Sequence, residues 1–267
     1  MLINRREFVG LGISAGFALA VTPVTGLAIT TSEEGLVLET LKIGEMPAYM
    51  ARPKGKGPYP VVIVIQEIFG IHAYIQDVCR RLAKQGYFAI APSLYYREGD
   101  VTKMEDIQKI ISDVVMKVPQ AQVLSDLDSV MEWVGKQKEA DAKRAAITGF
   151  CWGGNVVWMY CHHNPKMKAG VAWYGKLVNV RQAGEKSPLD IGGGLKVPVL
   201  GLYGGKDKGI PLIDIEKMKA SLKNGSEIVV FPEAEHGFHA DYRPSYHPKS
   251  AEEGWKKLLQ WFKKHGV

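Results

Sequence analysis

Three polar residues stand out by type and order. Cys151 lies in GFCWGGN, residues 149–155, with glycines at 149, 153 and 154. Asp207 lies in YGGKDKGIP, residues 203–211, and His236 in PEAEHGFH, residues 232–239. A thiol, an imidazole and a carboxylate can serve as nucleophile, general base and orienting acid. Each has a plainer reading. Cys151 can be a small buried apolar residue at a glycine-rich turn. Asp207 can cap a helix starting near Ile210. His236 can be an ordinary surface histidine, with His239 as a competitor. What decides between these readings is where each residue falls relative to the strands.

The hydrophobic pattern supplies those strands. VVIVI (61–65), YFAIA (87–91), AAITG (145–149), AGVAW (169–173), VPVLGLY (197–203) and EIVVF (227–231) are short apolar runs of the kind buried on both faces of a sheet. Helical spacing alternates with them. Ile75, Val78, Cys79 and Leu82 mark a helix from about Tyr74 to near Gly86. Val123, Leu127, Val130 and Val134 mark another, with Pro119 in its first turn. The segment after Gly154 and the stretch from Ile210 to Leu222 are helix candidates, and Trp255, Leu258, Leu259 and Phe262 form the stripe of a closing helix. LVLETLKIGEMPAYMARP, with a turn at Gly44-Glu45, reads as an opening hairpin. Strands alternating with amphipathic helices predict an α/β fold with a mostly parallel, doubly wound sheet in a single domain, residues 29–267.

In such a sheet, ligands bind beyond the carboxyl ends of the strands. All three polar residues fall there. G-x-C-x-G between a strand and a helix is the pattern of a nucleophile elbow. Small residues two positions either side let the turn close and hold the nucleophile clear of the sheet. The helix behind it aims N–H groups and its positive dipole end at the sulfur, which favours thiolate. The order Cys151, Asp207, His236 is that of α/β-hydrolases. The separations of 56 and 29 residues leave room for one βα unit between members. Cys79 and Cys161 share helix faces with apolar residues and read as core.

QEIFG after a buried strand, GFCWGG, YGGKDKGIP and EAEHGFH together resemble the dienelactone hydrolase family of the α/β-hydrolase fold. The resemblance covers essentially all of the chain after its first thirty residues. It implies a cysteine hydrolase of ester or lactone substrates that needs no cofactor or metal. It assigns Cys151 as nucleophile, His236 as base and Asp207 as its orienting acid. It also places Glu67 beside the resting cysteine, where a carboxylate can hold the thiol proton and protect the sulfur from oxidation. Backbone N–H groups of Trp152 and Ile68 are the expected oxyanion hole. The family's pair of substrate-carboxylate arginines is not matched. Ala240 stands near the place of one, and Lys109 is the only basic residue in the stretch 104–111 where the other belongs. Arg243 and Arg97 are candidate substitutes, and Tyr95 and Tyr174 candidate pocket walls alongside Trp152 and Trp173.

The first residues read separately. Arg5 and Arg6 precede Phe8 and a stretch without charge from Val9 to Ser32, interrupted by Gly10, Gly12, Gly16 and Pro23. This pattern resembles a twin-arginine export signal, residues 1–28, cleaved near Ala28. It implies the export machinery as a partner, a periplasmic location, and no membrane attachment after cleavage. Cleavage removes Arg5, Arg6 and Glu7, so the net charge falls from +6 to +5. The basic residues are dispersed, no nucleic-acid motif is present, and nothing demands more than a monomer. Two other functions fit the same pattern: a thioesterase-like hydrolase, and a non-catalytic ligand-binding or redox-sensing protein. Cys151 in the serine position counts against the first, and the full set of polar residues against the second.

Overall fold

A computed structural model of the chain describes residues 29–178 and 182–267. The expected export signal lies outside the described residues. The elements are β1 (Leu36–Ile43), β2 (Met46–Pro53), β3 (Tyr59–Ile65), α1 (Ala73–Lys84), β4 (Phe88–Pro92), α2 (Gln120–Val134), β5 (Ala140–Phe150), α3 (Trp152–His163), β6 (Ala169–Trp173), α4 (Pro188–Ile191), β7 (Val199–Gly204), α5 (Leu212–Ser221), β8 (Glu227–Phe231) and α6 (Pro248–Lys264). Short helical turns between residues 101 and 117 join β4 to α2.

One eight-stranded sheet runs in the order β1-β2-β4-β3-β5-β6-β7-β8. The β1–β2 hairpin is antiparallel and joins β4 antiparallel; every pairing from β4 onward is parallel. The parallel strands are apolar because helices cover the sheet on both sides, leaving no residue of β4 or β6 in water. This is the mostly parallel α/β-hydrolase sheet that the strand pattern predicts. Strand order reverses around β3 and β5, and the ends of these two strands carry Glu67 and Cys151. That is the crevice position expected of an open sheet.

Two local differences have simple causes. α2 begins at Gln120, with Pro119 extended at its cap (φ −68°, ψ 144°). α3 begins at Trp152 rather than after Gly154, because the reversal from strand to helix is completed in one residue, Cys151. Cys79 and Cys161 are fully buried, and burial raises both thiols far above their ordinary range. Both therefore stay neutral and inert, as core residues.

Candidate active site

Cys151 occupies the turn between β5 and α3 at φ 57° and ψ −113°, a conformation that side-chain-bearing residues rarely adopt. Such a residue costs about 1–3 kcal/mol, and surrounding structure has to hold it there. Its amide donates to the carbonyl of Trp173 at 3.0 Å, tying the turn to the end of β6. The glycines explain how the turn fits. A Cβ on Gly153 would stand 2.6 Å from the carbonyl oxygens of Ile65 and Gln66, and one on Gly154 2.4 Å from that of Trp173. The helix start is thus pressed against the ends of β3 and β6, and neither contact tolerates a side chain. Cys151 itself is 3% exposed.

His236 follows β8 and is also buried. Its Nδ1 is 2.8 Å from Asp207 Oδ2. The Cys151 sulfur is the second group that acts on the ring. Burial by itself pushes the imidazole toward neutrality. The Asp207 and Cys151 charges overcome that and raise it to about 10. His236 is therefore a protonated ring between a carboxylate and the sulfur. Asp207 lies in the turn after β7. Its Oδ1 accepts from Gly209 N at 2.8 Å, which fixes the carboxylate and leaves Oδ2 for the histidine. It does not cap α5, whose N-terminal boundary residue is Pro211. His239, the competing base, is elsewhere: its Nδ1 lies 2.6 Å from the Tyr74 hydroxyl.

Glu67 is the centre of a second buried polar group. Its carboxylate is fully buried and accepts from Arg243 Nη2 at 2.9 Å and from the Tyr242 hydroxyl at 2.6 Å, with His72 Nε2 at 3.4 Å. Burial alone would raise this carboxyl. The Arg243 charge and the His72 and Tyr242 contacts bring it down to about 2. A carboxylate so strongly ionised is a poor holder of a proton.

The remaining expected residues divide. Arg243 has no exposed side-chain surface and its charge is matched by Glu67. Arg97 is 42% exposed, holds Asp126 through both guanidinium nitrogens at 2.7 and 2.9 Å, and lies over the Tyr96 ring. Lys109 is exposed and Ala240 fully buried. Tyr174 stands edge-on to His236 with ring centres 5.2 Å apart, and Tyr95 edge-on to Trp152 at 4.8 Å. Ile68 is buried in the loop directly after Glu67, and Trp152 is the first residue of α3. The pattern gave no hint of Tyr242 or His72 as partners of Glu67. His72 sits two residues past the QEIFG motif, but its contact with Tyr242 spans 170 positions and no spacing rule reaches that far.

The model of the dienelactone hydrolase family matches residues 46–266. The chain belongs to the dienelactone hydrolase family. A relative from Methylorubrum extorquens named "Putative carboxymethylenebutenolidase" is 51% identical over 274 residues, covering 99% of this chain and 94% of its own length. A relative of the same name from Escherichia coli K12 is 50% identical, covering 94% of this chain and 96% of its own length. A crystal structure of a "Putative Dienelactone Hydrolase" from Klebsiella pneumoniae superposes with a TM-score of 0.82 at 51% identity, covering 86% of this chain and 99% of that one. The chain is a hydrolase of this family, with the family's α/β-hydrolase fold.

Proposed function

We propose that the chain hydrolyses carboxylic esters and lactones through a thioester on Cys151. The observation that carries this reading is the buried line Cys151–His236–Asp207, with the sulfur held at a strained turn and the ring at about 10. An imidazole that takes the thiol proton leaves the sulfur in its nucleophilic form. The names of the relatives agree with the reaction class.

The sulfur attacks the ester carbonyl and forms a C–S bond as the carbonyl oxygen becomes an oxyanion. The amides of Trp152, at the start of α3, and Ile68, past β3, receive it. Each donor of this kind contributes roughly 3–4 kcal/mol to the transition state. The tetrahedral species collapses, and the C–O bond breaks. His236 gives its proton to the leaving alkoxide; in a lactone the ring opens and the alcohol stays attached. The neutral ring then takes a proton from water, whose oxygen attacks the thioester. The C–S bond breaks, the acid leaves, and the sulfur and the reprotonated ring are restored. Asp207 keeps Nδ1–H directed at itself throughout. No metal or cofactor enters this cycle.

Rapid quenching of the protein with an aryl ester, followed by mass spectrometry, should find the acyl group on Cys151. Cys151→Ala should keep its fold and lose ester turnover. Full turnover by Cys151→Ala would falsify the mechanism. We also propose that residues 1–28 direct export by the twin-arginine route. Terminal sequencing of the periplasmic protein should begin at Ile29, and Arg5→Lys with Arg6→Lys should retain the protein in the cytoplasm.

A further inference from the structure

A cavity of about 300 Å³ opens beside the Glu67 group. Phe69, Tyr74, Val101 and Met104 give it apolar walls, and His72 and Tyr242 form its polar corner. Phe69 directly follows Ile68, so the cavity begins one residue from the amide assigned to the oxyanion. Tyr74 lines it and stands edge-on to Phe150, the residue before Cys151, with ring centres 5.6 Å apart.

Charge decides what this cavity accepts. The corner residues His72 and Tyr242 both contact the Glu67 carboxylate, which is ionised. The cation paired with Glu67 is Arg243. Its guanidinium lies 5.3 Å from the Phe69 and Tyr242 ring centres, and Glu67 already matches its charge. A ligand carboxylate placed here would add a second negative charge beside a guanidinium that Glu67 already matches. A neutral ring gains contact with two aromatic faces and a methionine. The corner also offers one polar contact. His72 Nε2 lies within 3.2 Å of the Tyr242 hydroxyl, while Nδ1 is buried and has no hydrogen-bond partner among the described residues.

Resting on the proposed ester hydrolysis, we propose that this cavity is the substrate-recognition subsite and takes a neutral aromatic or cyclic group bearing one hydroxyl or similar hydrogen-bonding function. The substrates are then uncharged aryl or cyclic esters, not carboxylate-bearing lactones. Val101 and Met104 set the size of the group, and the Glu67–Arg243 pair sets its charge.

Binding to Cys151→Ala protein tests this without turnover. Calorimetry should show 3-methylphenol binding at least tenfold tighter than 3-hydroxyphenylacetate, which differs by one carboxylate. Toluene should bind several-fold weaker than 3-methylphenol. Filling the cavity with Val101→Trp or, independently, Met104→Trp should weaken 3-methylphenol at least tenfold, whereas Met116→Trp, at an exposed site, should not. In wild-type protein 3-methylphenol should compete with 3-methylphenyl acetate. Equal or tighter binding of the carboxylate, or indifference to both cavity-filling variants in folded protein, overturns the subsite. Equal binding of toluene overturns its polar corner. Selective phenol binding without hydrolysis of any ester supports the subsite and overturns the catalytic reading. Ester turnover by Cys151 without these preferences does the reverse.

Discussion

His236 and His239 lie three residues apart in one loop, both buried, and their surroundings drive them in opposite directions. His236 meets the Asp207 carboxylate and the Cys151 sulfur, and despite burial its ring rises to about 10. His239 is enclosed by Phe150, Trp173 and Trp255, whose rings lie 4.4–5.7 Å from its own. Burial, reinforced by the nearby Arg81 charge, lowers it to about 3. The Tyr74 hydroxyl, whose own titration burial pushes well above the ordinary range, therefore donates to a neutral His239. The same side chain is charged at one position and a neutral polar packing residue at the other. Burial is common to both, so the difference lies in the charges within reach.

Removing the charge that separates the two histidines should have the largest effect. Asp207→Asn keeps the shape but replaces the anion, and an amide can donate to Nδ1 and stabilise the wrong tautomer. By analogy with other triads, kcat should fall by roughly 10⁴. Stability should also respond. A histidine raised to about 10 contributes stability that is full below its ordinary value near 6.5 and is lost as pH rises toward 10. Urea melts of wild type between pH 7 and 10 should show this loss, and Asp207→Asn should show much less of it. An unchanged kcat in Asp207→Asn would mean that His236 is not oriented by this carboxylate.

Glu67 ranks next, because it is the neutralising partner in a second buried group. Glu67→Gln leaves the Arg243 guanidinium buried without an anion, which costs about 3–5 kcal/mol. The pH dependence separates this from lost packing. The folded carboxyl titrates at about 2 and the unfolded one near 4.5, so its stabilisation is complete above 4.5 and disappears as pH falls toward 2. Glu67→Gln should lack that portion of the acid limb. If the variant melts like wild type at pH 7, the buried ion pair carries no net weight.

The smaller test is at His239. Between its ordinary value of 6.5 and about 3 the unfolded chain holds one more proton than the folded chain at this position. Stability should therefore fall by about 1.4 kcal/mol per pH unit on acidification through that window. His239→Gln should flatten the slope by about that amount, whatever it does to absolute stability, and should keep ester turnover. A slope that does not change would place the proton uptake elsewhere.

What the chain reveals without coordinates follows the range of each interaction. The strands and the long helices are legible because hydrophobic period is local, and the carboxyl-end positions of Cys151, Asp207 and His236 follow from that period. The elbow is legible from GFCWGG, although the start of α3 at Trp152 is not. Periodicity does not show that one residue at positive φ completes the turn. The Glu67 surroundings are the least legible part. Its partners come from residues 72, 242 and 243, and a charge match made across 176 positions is a product of the fold. The same limit explains why Arg243 and Arg97 look alike in sequence, each an isolated arginine near an aromatic residue.

Those two arginines allow the finest comparison. Arg243 is buried against Glu67, whereas Arg97 is 42% exposed and spans from the segment after β4 to Asp126 on α2. Water screens the second pair, and two side chains must be ordered to make it, so its net worth is at most about 1 kcal/mol even with bidentate geometry. Arg97→Ala should therefore lower the melting temperature by only a few degrees. If Arg97 has no part in substrate binding, the ratio of kcat/KM for matched neutral and carboxylated esters should not move either. A selective loss on the carboxylated ester would show that Arg97 releases Asp126 to hold a substrate anion. The specificity would then be set at the rim of the site, in place of the buried Glu67–Arg243 pair.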